Sequence, residues 1–295
     1  MRIRATAAAV TVSGALALTA FAVPAQADGD SARSAFAQAK AELKAGHATA
    51  FSARSAAGDD DQYGDTAISK IVINGGKDVV LGTTKATTVK VTFQATDDSG
   101  IDAKSPFGVL YHGADVASSD AGTVSNEDGE TTTSCKTVNA TTSNCTLTFP
   151  LDPQFDLRNF AAGKWKAAIL VVGKDGDFSA PENAKTFSVK RYAKLSTNAT
   201  PEPIAKGKTL TVKGALTRAN WDTSKYAGYT KQKVTLQFRK KTSSNYTTLK
   251  TVTSDTKGNL STTVKASADG YFRYKFAGTS TTPAVTSTSD FVDVR

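Results

Sequence analysis

Strict alternation of apolar and polar positions dominates the chain. Val89, Val91, Phe93 and Ala95 alternate with Lys90, Thr92 and Gln94, the period of a strand with one face in a core and the other in water. Leu147, Phe149 and Leu151 repeat the pattern, as do Leu210, Val212 and Leu216, then Val234, Leu236 and Phe238 against Gln237, Arg239 and Lys240. Leu260, Thr262, Val264 and Ala266 follow. Shorter apolar runs at Ile68–Ile73, Val79–Leu81, Phe107–His112 and Thr186–Val189 read as further strands, and Asn198–Pro203 as a proline-broken edge. One stretch departs from simple alternation. Trp165, Ala167, Ile169 and Val171 share a face, but the opposite face turns from Lys164 and Lys166 to Ala168, Leu170 and Val172. That predicts a strand whose far half is covered on both sides.

Helical spacing occurs in one place, Ser31–Ala45, where Phe36, Lys40 and Leu43 fall on one face and Gly46 follows as a stop. The pattern predicts a helix of about four turns. Its few apolar residues predict that it stands apart from any core. Gly58-Asp59-Asp60-Asp61 reads as an acidic linker, and Gly113–Glu130 as a long polar loop.

Short strands at regular spacing, separated by turns rich in Gly, Asp and Asn, predict an all-β protein built as two immunoglobulin-like β-sandwich domains in series. The expected boundaries are a signal peptide over residues 1–27, a flexible or partly helical acidic lead over 28–65, a first sandwich over 66–190 and a second over 191–295. The basic Met1-Arg2-Ile3-Arg4, the apolar Ala5–Val23 and the small residues of Ala25-Gln26-Ala27 make up the signal peptide. They imply a secreted, extracellular protein with no transmembrane segment in its mature form. In that compartment Cys135 and Cys145 are expected to pair, stapling a hairpin at about 2–3 kcal/mol. The glycine–aromatic pairs Gly163/Trp165 and Gly270/Tyr271 sit late in their domains, where a sandwich places its next-to-last strand. Tyr271 or Tyr274 is a candidate for a tyrosine-corner hydrogen bond.

Charge separates the two halves. Residues 191–295 hold 18 Lys/Arg against 6 Asp/Glu, a net of +12, and residues 28–190 hold 16 against 21, a net of −5. Such asymmetry concerns partners rather than fold. The runs Thr96–Ile101, Ala162–Trp165 and Lys174–Asp177, with Tyr229–Lys241 and Gly270–Ser280 in the second half, resemble bacterial immunoglobulin-like extracellular modules. The whole layout is similar to a family of secreted actinobacterial two-domain proteins, some described as calcium-binding. The resemblance implies the architecture and no particular activity.

Three kinds of chemistry can be tested on these residues. Ca2+ takes roughly six to eight hard oxygens. Asp97, Asp98 and Asp102 lie in one loop and Asp175 and Asp177 in another; in an immunoglobulin-like sandwich both loops leave the same end, so these five carboxylates are candidate ligands. On the second half, Lys206, Lys208, Lys213, Lys233, Arg239, Lys241, Arg273 and Lys275 are expected to form a positive face for an anionic cell-wall polymer or polysaccharide, not for nucleic acid. Catalysis finds little footing. His47 and His112 are the only histidines, and neither accompanies a nucleophile elbow. No catalytic residue or organic cofactor is assigned. Trp165 reads as a core aromatic, whereas Trp221, in Asn220-Trp221-Asp222, reads as the more exposed candidate for a sugar platform. The function so implied is a non-catalytic binding or structural module at the cell envelope, with a calcium-binding adhesion-like protein as the alternative.

Overall fold

The computed structural model describes residues 29–46, 61–125 and 134–295, with the backbone alone for 29–33. The signal peptide, His47, the linker residues 58–60 and residues 126–130 of the polar loop lie outside the described residues. The chain divides into two compact units, one of residues up to Val79 with Lys85–Val189, the other of Val80–Thr84 with Lys190–Arg295.

The first unit opens with α1 (Gly29–Gly46) and then the strands β1 (Gln62–Tyr63), β2 (Ala67–Ile73), β3 (Val79–Leu81), β4 (Thr87–Thr96), β5 (Phe107–His112), β6 (Ala121–Val124), β7 (Ser134–Asn139), β8 (Thr142–Leu151), β9 (Gly163–Val172), β10 (Phe178–Ser179) and β11 (Lys185–Arg191), although Val80–Leu81 of β3 and Lys190–Arg191 of β11 belong to the second unit. One sheet runs β2-β4-β8-β7; in the other, β5 and β11 flank β9, with β6 beyond β5 and β10 pairing antiparallel with the far end of β9. In chain order this places β2, β4, β8 and β7 at positions A, B, E and D of an immunoglobulin sandwich, and β5, β9 and β11 at C, F and G. The inward side chains are those the alternation selects. Val89 pairs with Phe149, Val91 with Leu147 and Phe93 with Cys145, and all six are buried. Cys135 stands directly opposite Cys145, and the two form a disulfide with Cα atoms 4.0 Å apart. The region 113–130 is not wholly a loop. Ala121–Val124 pairs with β5 as a hairpin partner, hidden from sequence because Ala121, Gly122 and Thr123 are too small to show an apolar stripe.

The helix corrects the expectation that it stands apart. Phe36 and Leu43 are buried in a cluster with Phe107, Val109, Tyr111, Ala168, Leu170, Val172 and Phe178. Phe36 stacks on Phe107 with ring centroids 6.3 Å apart. Between the two apolar contacts, Lys40 is held by Asp61 and by Glu182. Burial works against its charge, but the hydrogen bonds to both carboxylates together with their negative charge outweigh that and raise its pKa. Two large side chains suffice because they meet a sheet face that is already apolar. Ala168, Leu170 and Val172, the outer face of β9, are the surface they cover, so the second cover on that strand is α1.

The second unit continues with β12 (Ala193–Leu195), β13 (Asn198–Thr200), β14 (Thr209–Asn220), β15 (Lys225–Gly228), β16 (Lys233–Lys240), β17 (Thr247–Thr253), β18 (Asn259–Lys265), β19 (Gly270–Phe276), β20 (Val285–Thr286) and β21 (Asp290–Val292). Here β13-β14-β18 fill positions A, B and E, while β17-β16-β19 with β20 and β21 form the opposing sheet. Position D holds no strand: β17 passes through the turn at Asp255–Gly258 directly into β18 in the other sheet. Within the core Tyr274 crosses from β19 to donate its Oη hydrogen to the Val212 carbonyl at 2.9 Å, and burial pushes its phenol up to about 12. This cross-sheet bond is not the tyrosine corner expected of Tyr271 or Tyr274, because its acceptor lies on β14 rather than a few residues upstream. The Tyr274 ring lies over Gly214, where a Cβ would come within 2.9 Å of Cδ2 and 2.3 Å of the Ser196 carbonyl oxygen, so only glycine fits. Trp221 is not an exposed platform. It is 1 % exposed, and its Nε1 donates to the Gly82 carbonyl at 2.9 Å. No helix among the described residues is long and apolar enough to cross a membrane.

Candidate functional sites

Antiparallel pairing of β2 with β4 sets Ala67 opposite Thr96, so the start of β2 lies beside the loop that leaves β4. An isolated bridge between Ile101 and Gly173 ties that loop to the one leaving β9. Three chain segments thus meet at one end of the first sandwich. Carboxylate oxygens of Asp97, Asp98 and Asp175 come within 4.8 Å of one another, and so do those of Asp65, Asp97 and Asp177. Four of the five candidate calcium ligands are brought together. Asp102 is not among them: its Oδ1 accepts from Lys104 N and its own N–H donates to Val172 O, both backbone roles in a turn. Asp65 joins the group unforeseen, because it precedes β2 in sequence and only the β2–β4 register carries it there.

Asp97 is shared by both groups and is 2 % exposed. Its Oδ2 accepts from Thr66 Oγ1, and its Oδ1 from the N–H and hydroxyl of Ser99. Ser99 Oγ in turn accepts from Asp175 N at 3.2 Å. The buried carboxylate accepts directly from two of the segments, through Thr66 and Ser99, and is linked to the third through Ser99, which gives it a structural task independent of any ion. Gly173 makes room for it, since a Cβ there would stand 2.2 Å from Asp97 Oδ2. Asp177 sits less comfortably. Burial raises its pKa; the Asp65 N–H opposes this, and the charges of Asp175, Asp97 and Asp65 add to the rise. A proton or a cation at this end relieves crowding among like charges.

The eight candidate basic residues separate. Lys233, Arg239, Arg273 and Lys275 share the outer face of β16 and β19, and Lys241 follows at the end of β16. Lys213 lies on β14 in the opposite sheet, and Lys206 and Lys208 precede that strand. On the shared face cations and aromatics interleave. The Arg239 guanidinium lies 3.8 Å from the Tyr271 ring centroid, and that of Arg273 lies 3.5 Å from Tyr246. Tyr271 packs on Phe291 with centroids 5.1 Å apart, and Lys241 reaches the same Phe291 ring at 5.4 Å. Remaining contacts fix the guanidinium planes: Arg273 Nε donates to Gln237 Oε1, and Arg239 Nη1 to Ser243 O. Among the described residues neither arginine has a carboxylate partner, whereas Lys241 is 4.0 Å from Asp269. Sequence shows the cations on this face but not the rings, because Tyr246 and Phe291 come from a loop and the last strand.

His112 Nδ1 lies 2.6 Å from Asp120 Oδ1, a pair across the β5–β6 hairpin, with its ring near Phe160 and Trp165. No nucleophile is held against it among the described contacts.

No protein-family model and no curated protein matches the chain. Among solved structures it is similar to the FdeC adhesin of Escherichia coli, at 15% identity and a TM-score of 0.33, covering 78% of this chain and 65% of that one. It is also similar to titin domains A168–A170, at 13% identity and a TM-score of 0.26, covering 78% and 68%. A membrane-anchored protein from Corynebacterium diphtheriae gives 10% identity and a TM-score of 0.26, covering 78% and 53%. Similarity this low carries no functional argument, and the fold assignment rests on strand order.

Proposed function

We propose that the protein is a secreted, non-catalytic binding module that holds an anionic polymer of the cell envelope on the outer face of β16 and β19. The observation that carries this reading is the pair Arg239 and Arg273, each braced against a tyrosine ring and neither neutralised by a carboxylate. Cation–π stacking and the two side-chain hydrogen bonds hold the guanidinium planes before a ligand arrives, so less rotamer freedom is lost on binding. Lys233 and Lys275 extend the positive field along the same strands. The test is sedimentation of the mature protein with isolated cell walls at ~50 mM and ~500 mM salt, conditions between which screening of exposed charges rises steeply. Binding is expected to fall at least tenfold at the higher salt, and likewise at low salt in the Arg239→Glu/Arg273→Glu double variant. Salt-insensitive binding, or an unaffected double variant, overturns the reading.

A second reading concerns the acidic end of the first unit. The carboxylate oxygens that converge there, with no histidine or cysteine among them, form a donor set suited to Ca2+ or Mg2+ rather than zinc. Asp97 would bridge the two groups. Calorimetric titration of the mature protein with Ca2+ is expected to give saturable heat that Asp97→Asn and Asp175→Asn each diminish. An absence of heat at millimolar Ca2+ removes this reading and leaves Asp97 as a loop organiser.

A further inference from the structure

The two units differ at one strand position. In the first, β7 fills position D on the free edge of β8 and is stapled there through Cys135–Cys145. In the second, among the described residues β18 pairs only with β14, and β17 pairs only with β16. Between these two unpartnered edges lies a cleft of about 500 Å³ lined by Phe238, Leu249, Val264 and Phe272, with Lys250 and Lys265 at its rim. Phe238 and Phe272 pack at its floor, ring centroids 4.8 Å apart. Leu249 is the extra residue of a β-bulge, for Lys250 pairs with Leu236 and Thr248 with Gln237; it remains 42 % exposed. Lys250 Nζ donates to the Thr263 carbonyl of β18 at 2.9 Å. A lysine laid on an edge carbonyl keeps such an edge from pairing indiscriminately.

We propose that this vacant strand position is a docking site for an extended peptide, which adds to the edge of β18 and lays alternate side chains into the cleft. The lining fixes the chemistry of that peptide. Inward side chains meet two phenylalanines, a leucine and a valine, so they are apolar. Outward ones meet Lys250 and Lys265, with Lys213 one strand further in register with Ser261, and no acidic residue among those described lines the cleft, so they are acidic. Main-chain pairing supplies affinity and the alternation supplies selectivity, as in other strand additions. A peptide carboxylate gives the Lys250 ammonium a better partner than the neutral Thr263 carbonyl, which frees the edge for pairing.

The experiment is fluorescence anisotropy of the full mature chain with labelled nine-residue peptides. One alternates valine and glutamate, a second alternates valine and lysine, and a third has the sequence of the first with every backbone amide N-methylated. The valine–glutamate peptide is expected to bind saturably and at least tenfold more tightly than either other peptide, and to slow amide exchange in β18. Leu249→Glu, at an exposed bulge where folding is insensitive to the change, is expected to weaken it at least tenfold. Arg239→Glu/Arg273→Glu is expected to leave it unchanged, which separates this site from the cationic sheet face. No saturable binding overturns the proposal. So does equal binding of the N-methylated peptide, which has no backbone N–H to pair, or loss of binding in the double arginine variant with Leu249→Glu unaffected.

Discussion

Replacing Trp165 with alanine is expected to remove about 3–5 kcal/mol from the stability of the first unit, the usual cost of truncating a fully buried aromatic. The side chain is wholly buried, packed near Phe187 and His112, and its Nε1 donates to the Ala161 carbonyl at 2.7 Å. Truncation leaves a cavity and strips that buried carbonyl of its partner, and the two losses add. The chain has two tryptophans, and the other, Trp221, belongs to the second unit. In Trp165→Ala the remaining indole lies in the second unit, against the Gly82 carbonyl of the segment Val80–Thr84. Denaturation followed by circular dichroism is expected to show a transition earlier than in the wild type, with loss of the first unit's β-sheet signal. Trp165→Phe keeps most of the apolar volume and is expected to lose less. An unchanged first transition in Trp165→Ala would exclude Trp165 as the spine of that sandwich.

The difference between the indoles shows where sequence informs and where it stops. Trp165 is legible because it sits in register with Ala167, Ile169 and Val171, and period-2 patterning assigns all four to one face. Trp221 stands among polar neighbours, and its burial depends on the distant Gly82 carbonyl. Alternation records which face of a strand is inside; it does not record what returns from elsewhere to cover a residue. The same holds for Leu249, whose exposure follows from a bulge and a missing neighbour strand.

The candidate sites divide along similar lines. That Asp97 and Asp98 face Asp175 and Asp177 follows from fold topology, since the loops after the second and sixth sandwich strands leave the same end. Asp65 follows only from the β2–β4 register, which nothing local specifies. On the basic side, i and i+2 spacing groups Arg273 with Lys275 on one strand. Sheet membership is a matter of pairing, and it sends Lys213 to the opposite sheet.

Truncating Phe36 tests the least legible feature, the docking of α1, and its cost has a ceiling. Burying Phe36 and Leu43 contributes about 1.5–3 kcal/mol each, and fixing the helix offsets part of that. Once Phe36→Ala removes the larger contact, Leu43 and the Lys40 ion pairs are too few to hold α1, and the helix leaves as a unit. From then on no further stability is lost, because the sandwich beneath keeps its own core. Phe36→Ala is therefore expected to lower the unfolding midpoint of the first unit less than Trp165→Ala, while uncovering Phe107, Val109, Tyr111, Leu170 and Val172 as one apolar face. A face of that kind promotes association. Hydrogen exchange is expected to lose protection across residues 34–46 with the β9 amides still slow, and sedimentation velocity to show self-association that the wild type lacks. Protection of α1 at wild-type levels would mean that the helix is held by something other than Phe36. Loss of protection in β9 together with α1 would mean that the helix belongs to the sandwich core rather than covering it.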